Sequence, residues 1–143
     1  MDQERKDQIR ASFERSKTMA LYGARLLSVQ QGYIEIEVDK QDFMARPAGM
    51  FNGAAIATLV DVASGYAAVS AKLKDSYVTT VELKINYLSP AIGEQLRAKA
   101  QVIKNGKVLS VVRVDVYAVT KGMENLAATS LVTMMQLRNP SAP

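Results

Sequence analysis

The beginning of the chain combines a charged segment with two runs of strand-like pattern. Residues 2–19 carry many charges and place Ile9 and Phe13 one helical turn apart, which predicts an N-terminal helix that packs over another element. Residues 21–40 then contain a Gln-Gln-Gly turn between two runs, and the second run alternates apolar with polar side chains. The pattern therefore predicts one helix followed by a pair of strands.

The most apolar segment, MFNGAAIATLVDVASGYAAVSA, covers residues 50–71 and contains a single charged side chain, Asp61. It follows a loop that contains proline and glycine, and it has no proline of its own. This predicts a helix from residue 52 or 53 to about residue 71, with Asn52 as its N-cap. Because such a helix is apolar on nearly every side, other elements must cover nearly all of it.

After this helix the pattern changes to the period of two that is typical of strands. In the first of these strands, Val81, Leu83, Ile85 and Tyr87 alternate with Thr80, Glu82, Lys84 and Asn86. Residues 94–103 and 107–119 then flank an Asn-Gly pair, which is the strongest short hairpin signal, and residues 126–137 form a last strand.

These elements predict an α+β fold in which a curved antiparallel sheet wraps around one long central helix. We expect residues 20–137 to form this single domain, residues 1–19 to form the helix packed on it, and residues 138–143 to form a flexible tail. The length of 143 residues suits one domain with a sizeable core.

Composition restricts the chemistry more than the fold. The chain contains no cysteine and no histidine. Disulfides, thiolate nucleophiles, histidine acid–base catalysis and the common zinc sites are therefore excluded. Proton transfer near neutral pH must depend on Asp, Glu, Lys, Tyr or ordered water, and we expect no metal and no cofactor.

Charge and hydropathy indicate the compartment and the partners. The charged N-terminus does not resemble a secretory signal, and Asp61 disfavours a membrane span over residues 50–71. The net charge is +4, and acidic residues are interspersed among the basic ones along much of the chain. This distribution suits a small anionic ligand better than a nucleic acid. We therefore expect a cytoplasmic protein without nucleic-acid or membrane partners.

Asp61 is the main candidate for chemistry. On a helical period its neighbours are all small: Ala54, Ala57, Thr58, Ser64, Gly65 and Ala68. A stripe of this kind permits close approach by a ligand or by another backbone. Two interpretations remain open: a buried acid satisfied by backbone or lysine, and a desolvated carboxylate that acts as a base or nucleophile.

The helix geometry adds a condition. Gly53 and Asp61 lie eight residues apart in the sequence. This spacing corresponds to about 12 Å of helix rise. If the free N–H groups at the helix N-terminus polarise a carbonyl group, Asp61 of the same chain cannot reach that carbonyl. A second copy of the helix, antiparallel across a two-fold axis, can bring its own Asp61 to that carbonyl. A homodimer would then contain two sites, each formed by the helix N-terminus of one chain and Asp61 of the other.

Three segments, PAGMFNGAAIATLVDVASGYAA, TTVELKINYLSPA and GEQLRAKAQVIKNGKVLSVVRVDVY, resemble the hotdog-fold acyl-CoA thioesterases of the PaaI-like class. The resemblance covers about residues 20–137. It implies a long helix wrapped by a curved antiparallel sheet, assembly into dimers and often into dimers of dimers, and hydrolysis of acyl- or aryl-CoA thioesters without a metal.

The resemblance also implies roles for individual residues. Gly53 would donate its backbone N–H to the oxyanion, and Asp61 of the partner would be the base or the nucleophile. Thr80 lies where relatives carry a hydroxyl that positions water, although threonine is also ordinary in a strand. Asn52 replaces the histidine of the family's His-Gly-Gly and either contacts the carbonyl or only caps the helix. Relatives often carry an asparagine in the loop that precedes the helix, near the position of Arg46 in this chain.

Four basic side chains could bind the phosphates of CoA: Arg46, Lys104, Lys107 and Arg113. Surface cations, however, often do no more than keep the protein surface hydrated. The alternative function is a non-catalytic acyl-CoA binding or sensing protein with the same fold. The short segment that precedes the fold weakens the interpretation as a repressor with an added DNA-binding domain. We also expect no hotdog dehydratase, because those enzymes depend on histidine and the chain has none. Asp42 does not have the Asn-Gly-His surroundings of the thioesterases with a loop aspartate. The pattern does not indicate the acyl specificity.

Overall fold

The computed structural model describes residues 1–138, and the elements follow the predicted order. The helices are α1 (Gln3–Glu14), α2 (Lys17–Tyr22) and α3 (Gly53–Ser70). The strands are β1 (Arg25–Gln30), β2 (Tyr33–Asp39), β3 (Ala45–Arg46), β4 (Met50–Phe51), β5 (Tyr77–Tyr87), β6 (Gln95–Asn105), β7 (Leu109–Thr120) and β8 (Met123–Leu137). The predicted tail begins at Arg138, which follows β8, and residues 139–143 lie outside the described part of the chain.

The single N-terminal helix predicted over residues 2–19 is wrong, because the segment forms two helices. Ser16 interrupts the first helix with extended backbone, and its hydroxyl accepts a hydrogen bond from the Met19 N–H as the N-cap of α2. Gly23, in the left-handed region at φ 62°, ends α2. The boundary drawn between residues 19 and 20 therefore falls inside α2. The predicted packing is correct, since Ile9 and Phe13 are buried.

One face of a six-stranded sheet covers α3. The strand order is β1-β2-β6-β7-β8-β5 and every neighbouring pair is antiparallel. Alternate residues along β7, Val112, Val114 and Val116, are buried on the helix side. The architecture confirms the predicted curved sheet around a central helix, including the β1–β2 pair and the run of four antiparallel strands after α3.

The β6–β7 hairpin turns at the predicted Asn-Gly pair. The Gly106 N–H donates to the Leu109 carbonyl oxygen at 2.9 Å. A Cβ atom at Gly106 would lie 2.4 Å from that oxygen, which is closer than any side chain tolerates. Glycine is therefore required by the close approach of the two strands.

The apolar composition of α3 follows from its place in the core. Leu59, Val60, Ala63 and Ala67 are fully buried, and α3 packs against β2, β5, β6, β7 and β8. By length and composition α3 could also cross a membrane, and 50% of this segment is buried inside the fold. The sheet that wraps it accounts for its apolar residues.

Strand β5 forms one edge of the sheet and contains a β-bulge. Thr80 lies opposite Met134 and Glu82 lies opposite Thr133, so that Val81 is the extra residue. The strict alternation predicted for residues 80–87 would place Thr80 on the face opposite Leu83. The bulge reverses this, and both side chains face α3.

The opposite face of the sheet carries a network of ion pairs centred on Glu37. This carboxylate is 7% exposed and accepts hydrogen bonds from Arg25 at 2.6 Å and from the Arg97 Nε at 2.8 Å. Glu124 also pairs with Arg97 and with Lys99. Burial acts to raise the pKa of Glu37, but the hydrogen bonds and charges of the two arginines outweigh it and hold the pKa below its ordinary value.

We expect the Glu37 network to contribute stability above the ordinary carboxyl pKa and to lose it in acid. A depressed folded-state pKa means that the contribution is complete above about pH 4.5 and disappears as the pH falls through the lower folded value. Glu37→Gln should lower the free energy of unfolding by about 2 kcal/mol at pH 7.

Denaturant unfolding from pH 7 to pH 3 measures this difference. The gap between wild type and Glu37→Gln should narrow below pH 4.5. Asp39→Asn is the matched control, because Asp39 also pairs with Arg25 but its side chain is 62% exposed. It should cost at most about 1 kcal/mol. A Glu37→Gln gap that stays constant with pH would contradict the account.

Candidate active site

The first turn of α3 offers two free backbone donors. A helix leaves its first N–H groups without intrahelical acceptors. Here the Asn52 N–H donates to the Met44 carbonyl oxygen at 2.7 Å, and the Ala55 N–H donates to the Asn52 side chain at 2.8 Å. The N–H groups of Gly53 and Ala54 have no acceptor among residues 1–138. They lie at the positive end of the helix dipole, where they can bind an anionic oxygen.

A cleft of about 690 Å³ opens beside these two donors, and we call it the Gly53 cleft. Its walls come from α3, from the end of β5 and from the small β3–β4 hairpin, which presents Arg46. The Tyr87 hydroxyl donates to the Gly53 carbonyl oxygen at 3.1 Å, and its ring would lie 3.4 Å from a Cβ atom at Gly53. Tyr87 thus holds the start of α3 from one side.

Asp61 and Thr80 form a hydrogen-bonded pair. The Thr80 hydroxyl donates to Asp61 Oδ1 at 2.6 Å and lies 3.5 Å from the sulfur of Met134. The β5 bulge next to Thr80 is what turns this hydroxyl toward α3. Two residues that the sequence selected separately are therefore brought together.

The surroundings of Asp61 correct three expectations. The residue is exposed in the single chain, not buried, and the donor to its carboxylate is a hydroxyl rather than a lysine or a backbone N–H. The predicted stripe of small neighbours is also narrower. Ser64 and Ala68 are fully buried against the sheet, because they lie on the side of α3 that the strands cover.

Asp61 lies in a second cleft, of about 440 Å³, which we call the Asp61 cleft. Its lining residues come from the N-terminal helices, from α3 beyond Asp61, and from β5 and β8. Among residues 1–138, no residue lines both the Gly53 cleft and the Asp61 cleft. One chain therefore carries the donors and the carboxylate in separate clefts, as the eight-residue spacing predicts.

The side chain of Asn52 is used on both of its polar atoms. Its oxygen caps Ala55, and its nitrogen donates to the Phe43 carbonyl oxygen at 2.9 Å. This confirms the predicted N-cap and ties the preceding loop to α3. Asp42 is exposed in the short 3₁₀ turn of that loop.

The predicted phosphate-binding cations are scattered within one chain. Arg46 alone lines the Gly53 cleft. Lys104 and Lys107 belong to the β6–β7 hairpin, which Lys72 ties to the far end of α3 through a 3.0 Å hydrogen bond to the Gly106 carbonyl oxygen. Arg113 lies on the outer face of the sheet and pairs with Asp115 at 3.3 Å.

Sequence reasoning did not identify Tyr87 or Met134 as parts of the two clefts. Tyr87 belongs to the NYLSPA segment, and that motif was a usable signal. Met134 is brought beside Thr80 only by the β5–β8 pairing, which no local pattern shows. Within residues 1–138, no group of three or more His, Cys, Asp and Glu side chains is arranged to hold a metal ion.

The Asn52 contacts predict that Asn52→Ala destabilises the protein by about 1 kcal/mol, because α3 loses its cap. Asn52→Ser keeps a capping oxygen and should recover most of this loss. Chemical denaturation of the two variants and wild type measures the difference. If the alanine and serine variants are equally unstable, the cap is not what Asn52 contributes.

Comparison with known proteins gives one consistent assignment. A family model described as the thioesterase superfamily matches residues 48–123. A protein from Saccharolobus solfataricus named Putative esterase SSO1253 is 31% identical over 121 residues, which are 84% of this chain and 77% of the relative.

Solved structures agree with this assignment. A thioesterase family protein from Silicibacter pomeroyi superimposes with a TM-score of 0.89 at 34% identity, over 94% of this chain and 98% of that protein. The PaaI protein from the phenylacetic acid degradation operon of E. coli shares the fold, with a TM-score of 0.82 at 20% identity and 94% coverage of both chains. The chain thus belongs to the thioesterase superfamily and has the hotdog fold.

Proposed function

We propose that this protein hydrolyses acyl- or aryl-CoA thioesters as a homodimer, with each active site formed by two chains. The observation that carries the proposal is the Asp61–Thr80 pair, an exposed carboxylate held by a hydroxyl on an otherwise uncharged helix. Membership of the thioesterase superfamily supports thioester hydrolysis as the reaction type. The residue roles and the acyl-CoA substrate are our inference.

The free donors of α3 would bind the thioester carbonyl oxygen. As water attacks the carbonyl carbon, negative charge develops on this oxygen, and the Gly53 and Ala54 N–H groups would stabilise it. One donor of this kind contributes about 3 to 4 kcal/mol to the transition state. The carbon–sulfur bond then breaks, and CoA leaves as the thiolate.

Asp61 of the partner would take the proton from the attacking water. Thr80 engages Oδ1, which leaves Oδ2 available to the water. The same carboxylate could instead attack the carbonyl carbon directly, so that the carbon–sulfur bond breaks, CoA leaves as the thiolate and a mixed anhydride forms, which water then hydrolyses to the free acid and the Asp61 carboxylate. Both routes need Asp61 ionised and within reach of the carbonyl, and both use the Thr80 hydroxyl to fix its orientation.

The edge of the sheet supports a two-chain site. β5 spans Tyr77–Tyr87, and in the part of the chain that the structure describes it pairs on one side only, with β8. A long unpaired edge is prone to pair with another strand, and several of its apolar side chains are exposed: Tyr77, Val81 and Tyr87. Antiparallel pairing of two β5 strands would also bring two α3 helices side by side in opposite directions.

Arg46 is the cation that we propose for the CoA phosphates, because it is exposed and lines the Gly53 cleft. Lys104, Lys107 and Arg113 could reach a bound CoA only from another subunit. We propose that a dimer of dimers brings these cations to the CoA bound by a neighbouring subunit. Nothing in this chemistry conflicts with a cytoplasmic location.

We expect Gly53→Pro to fold and to lose most activity. Proline is favoured at the first helical position, and Asn52 already has the extended backbone that precedes proline, at φ −77° and ψ 158°. The substitution removes the N–H donor and should lower kcat by about a hundredfold to a thousandfold. Gly53→Ala keeps the donor and should lose much less.

Thiol release from a panel of acyl- and aryl-CoA esters measures kcat and KM for the three proteins. Circular dichroism and sedimentation confirm that fold and assembly match. Equal activity of the proline and alanine variants would contradict the role of the Gly53 N–H. A wild type that binds CoA esters without releasing thiol would favour the binding protein instead of the hydrolase.

A further inference from the structure

The Asp61 cleft is a trough that extends away from the proposed reaction centre. Asp61 and Thr80 lie at one end, and Val69 and Ser76 lie at the other. Eight residues of α3 separate Asp61 from Val69, which is about 12 Å of helix. The lining of the trough combines hydroxyl groups with apolar side chains that include Val62, Val78 and Met134. It therefore suits an apolar group attached to a reacting carbonyl.

Gly65 leaves space in this trough, one helical turn beyond Asp61. Glycine inside a helix is less favourable than alanine, so a reason for it is expected. The fold itself supplies none, because the nearest atom to a Cβ at Gly65 would be the Met134 methyl group at 3.9 Å, an ordinary contact. The space that the missing Cβ leaves opens into the Asp61 cleft.

The wall next to Gly65 is held in place by α1. The Tyr66 ring contacts the edge of Phe13, with ring centres 5.6 Å apart, and its hydroxyl lies 3.4 Å from that of Ser12. The Arg5 guanidinium also donates to the Val69 carbonyl oxygen at 2.9 Å. The N-terminal helix thus fixes the side of the trough, and the free volume beside Gly65 cannot readily be filled by rotation of Tyr66.

We infer that the Asp61 cleft binds the acyl or aryl group of the thioester and that Gly65 determines how bulky this group can be. The inference rests on the proposed hydrolysis and adds a substrate class, esters whose acyl group is larger than acetyl and is branched or carries a ring. A flat or branched group fits against Gly65 and can contact the Met134 methyl group. A Cβ at position 65 occupies that space.

Gly65→Ala tests the inference. The variant should fold, since the added methyl group makes only an ordinary contact with Met134. We expect the ratio of kcat/KM for phenylacetyl-CoA to kcat/KM for acetyl-CoA to fall at least tenfold, with most of the change in KM. Gly53→Ala is the matched control, a methyl group added to the same helix at the carbonyl end. It should change both esters by the same factor and leave the ratio unaltered.

Four outcomes would overturn the inference. A Gly65→Ala ratio equal to that of wild type places the acyl group elsewhere, while the proposed hydrolysis stands. Equal loss on both esters together with a dissociated dimer in sedimentation makes Gly65 a packing residue of the subunit interface. A wild type that prefers acetyl-CoA contradicts the substrate class, and one that hydrolyses no ester in the panel overturns the proposed function as well.

Discussion

The structure depends on the burial of one helix. The sheet wraps around α3, so the covered side of this helix must be apolar. Its residues there are fully buried beneath the strands: Leu59, Val60, Ala63 and Ala67. The same helix must also leave one face uncovered and its first turn open. Asp61 belongs to that uncovered face, and the free N–H groups of Gly53 and Ala54 belong to that first turn. A single element therefore supplies both the core and the candidate chemistry.

The exposed position of Asp61 answers the question of how a carboxylate persists on such a helix. In the single chain it faces solvent and a threonine hydroxyl, so it carries little desolvation cost. If a second copy covers this face, the carboxylate becomes desolvated while it keeps the Thr80 hydrogen bond, and the approach of a substrate removes more water. Assembly would then move Asp61 from solvent into a less polar site shared by two chains, without any change in the fold of one chain.

Local patterns predicted the parts of the fold that depend on local physics. The helix that begins at Gly53, its Asn52 cap and the Asn-Gly hairpin each follow from a few adjacent residues, and the structure confirms all three. The break at Ser16 was also a local signal, a capping serine, but the charge pattern on both sides of it favoured one continuous helix.

The contacts within the candidate site depend on long-range strand pairing, which the local sequence patterns did not show. The bulge at Val81 arises where β5 and β8 pair out of step, and it alone turns the Thr80 hydroxyl toward Asp61. The exposure of Asp61 depends on which side of α3 the strands cover. Tyr87 and Gly53 meet across a gap of more than thirty residues in the chain. The residue types of the site were therefore predictable, and their contacts were not.

Subunit complementation tests the central claim, that each active site joins Gly53 of one chain to Asp61 of its partner. Gly53→Pro and Asp61→Asn should each be nearly inactive alone. When the two are co-refolded in equal amounts, half of the dimers are mixed and each mixed dimer contains one intact site, so about a quarter of wild-type activity should return. Mixing Asp61→Asn with the double variant controls for refolding and should restore nothing. Activity no higher than that of the separate variants would contradict the shared site.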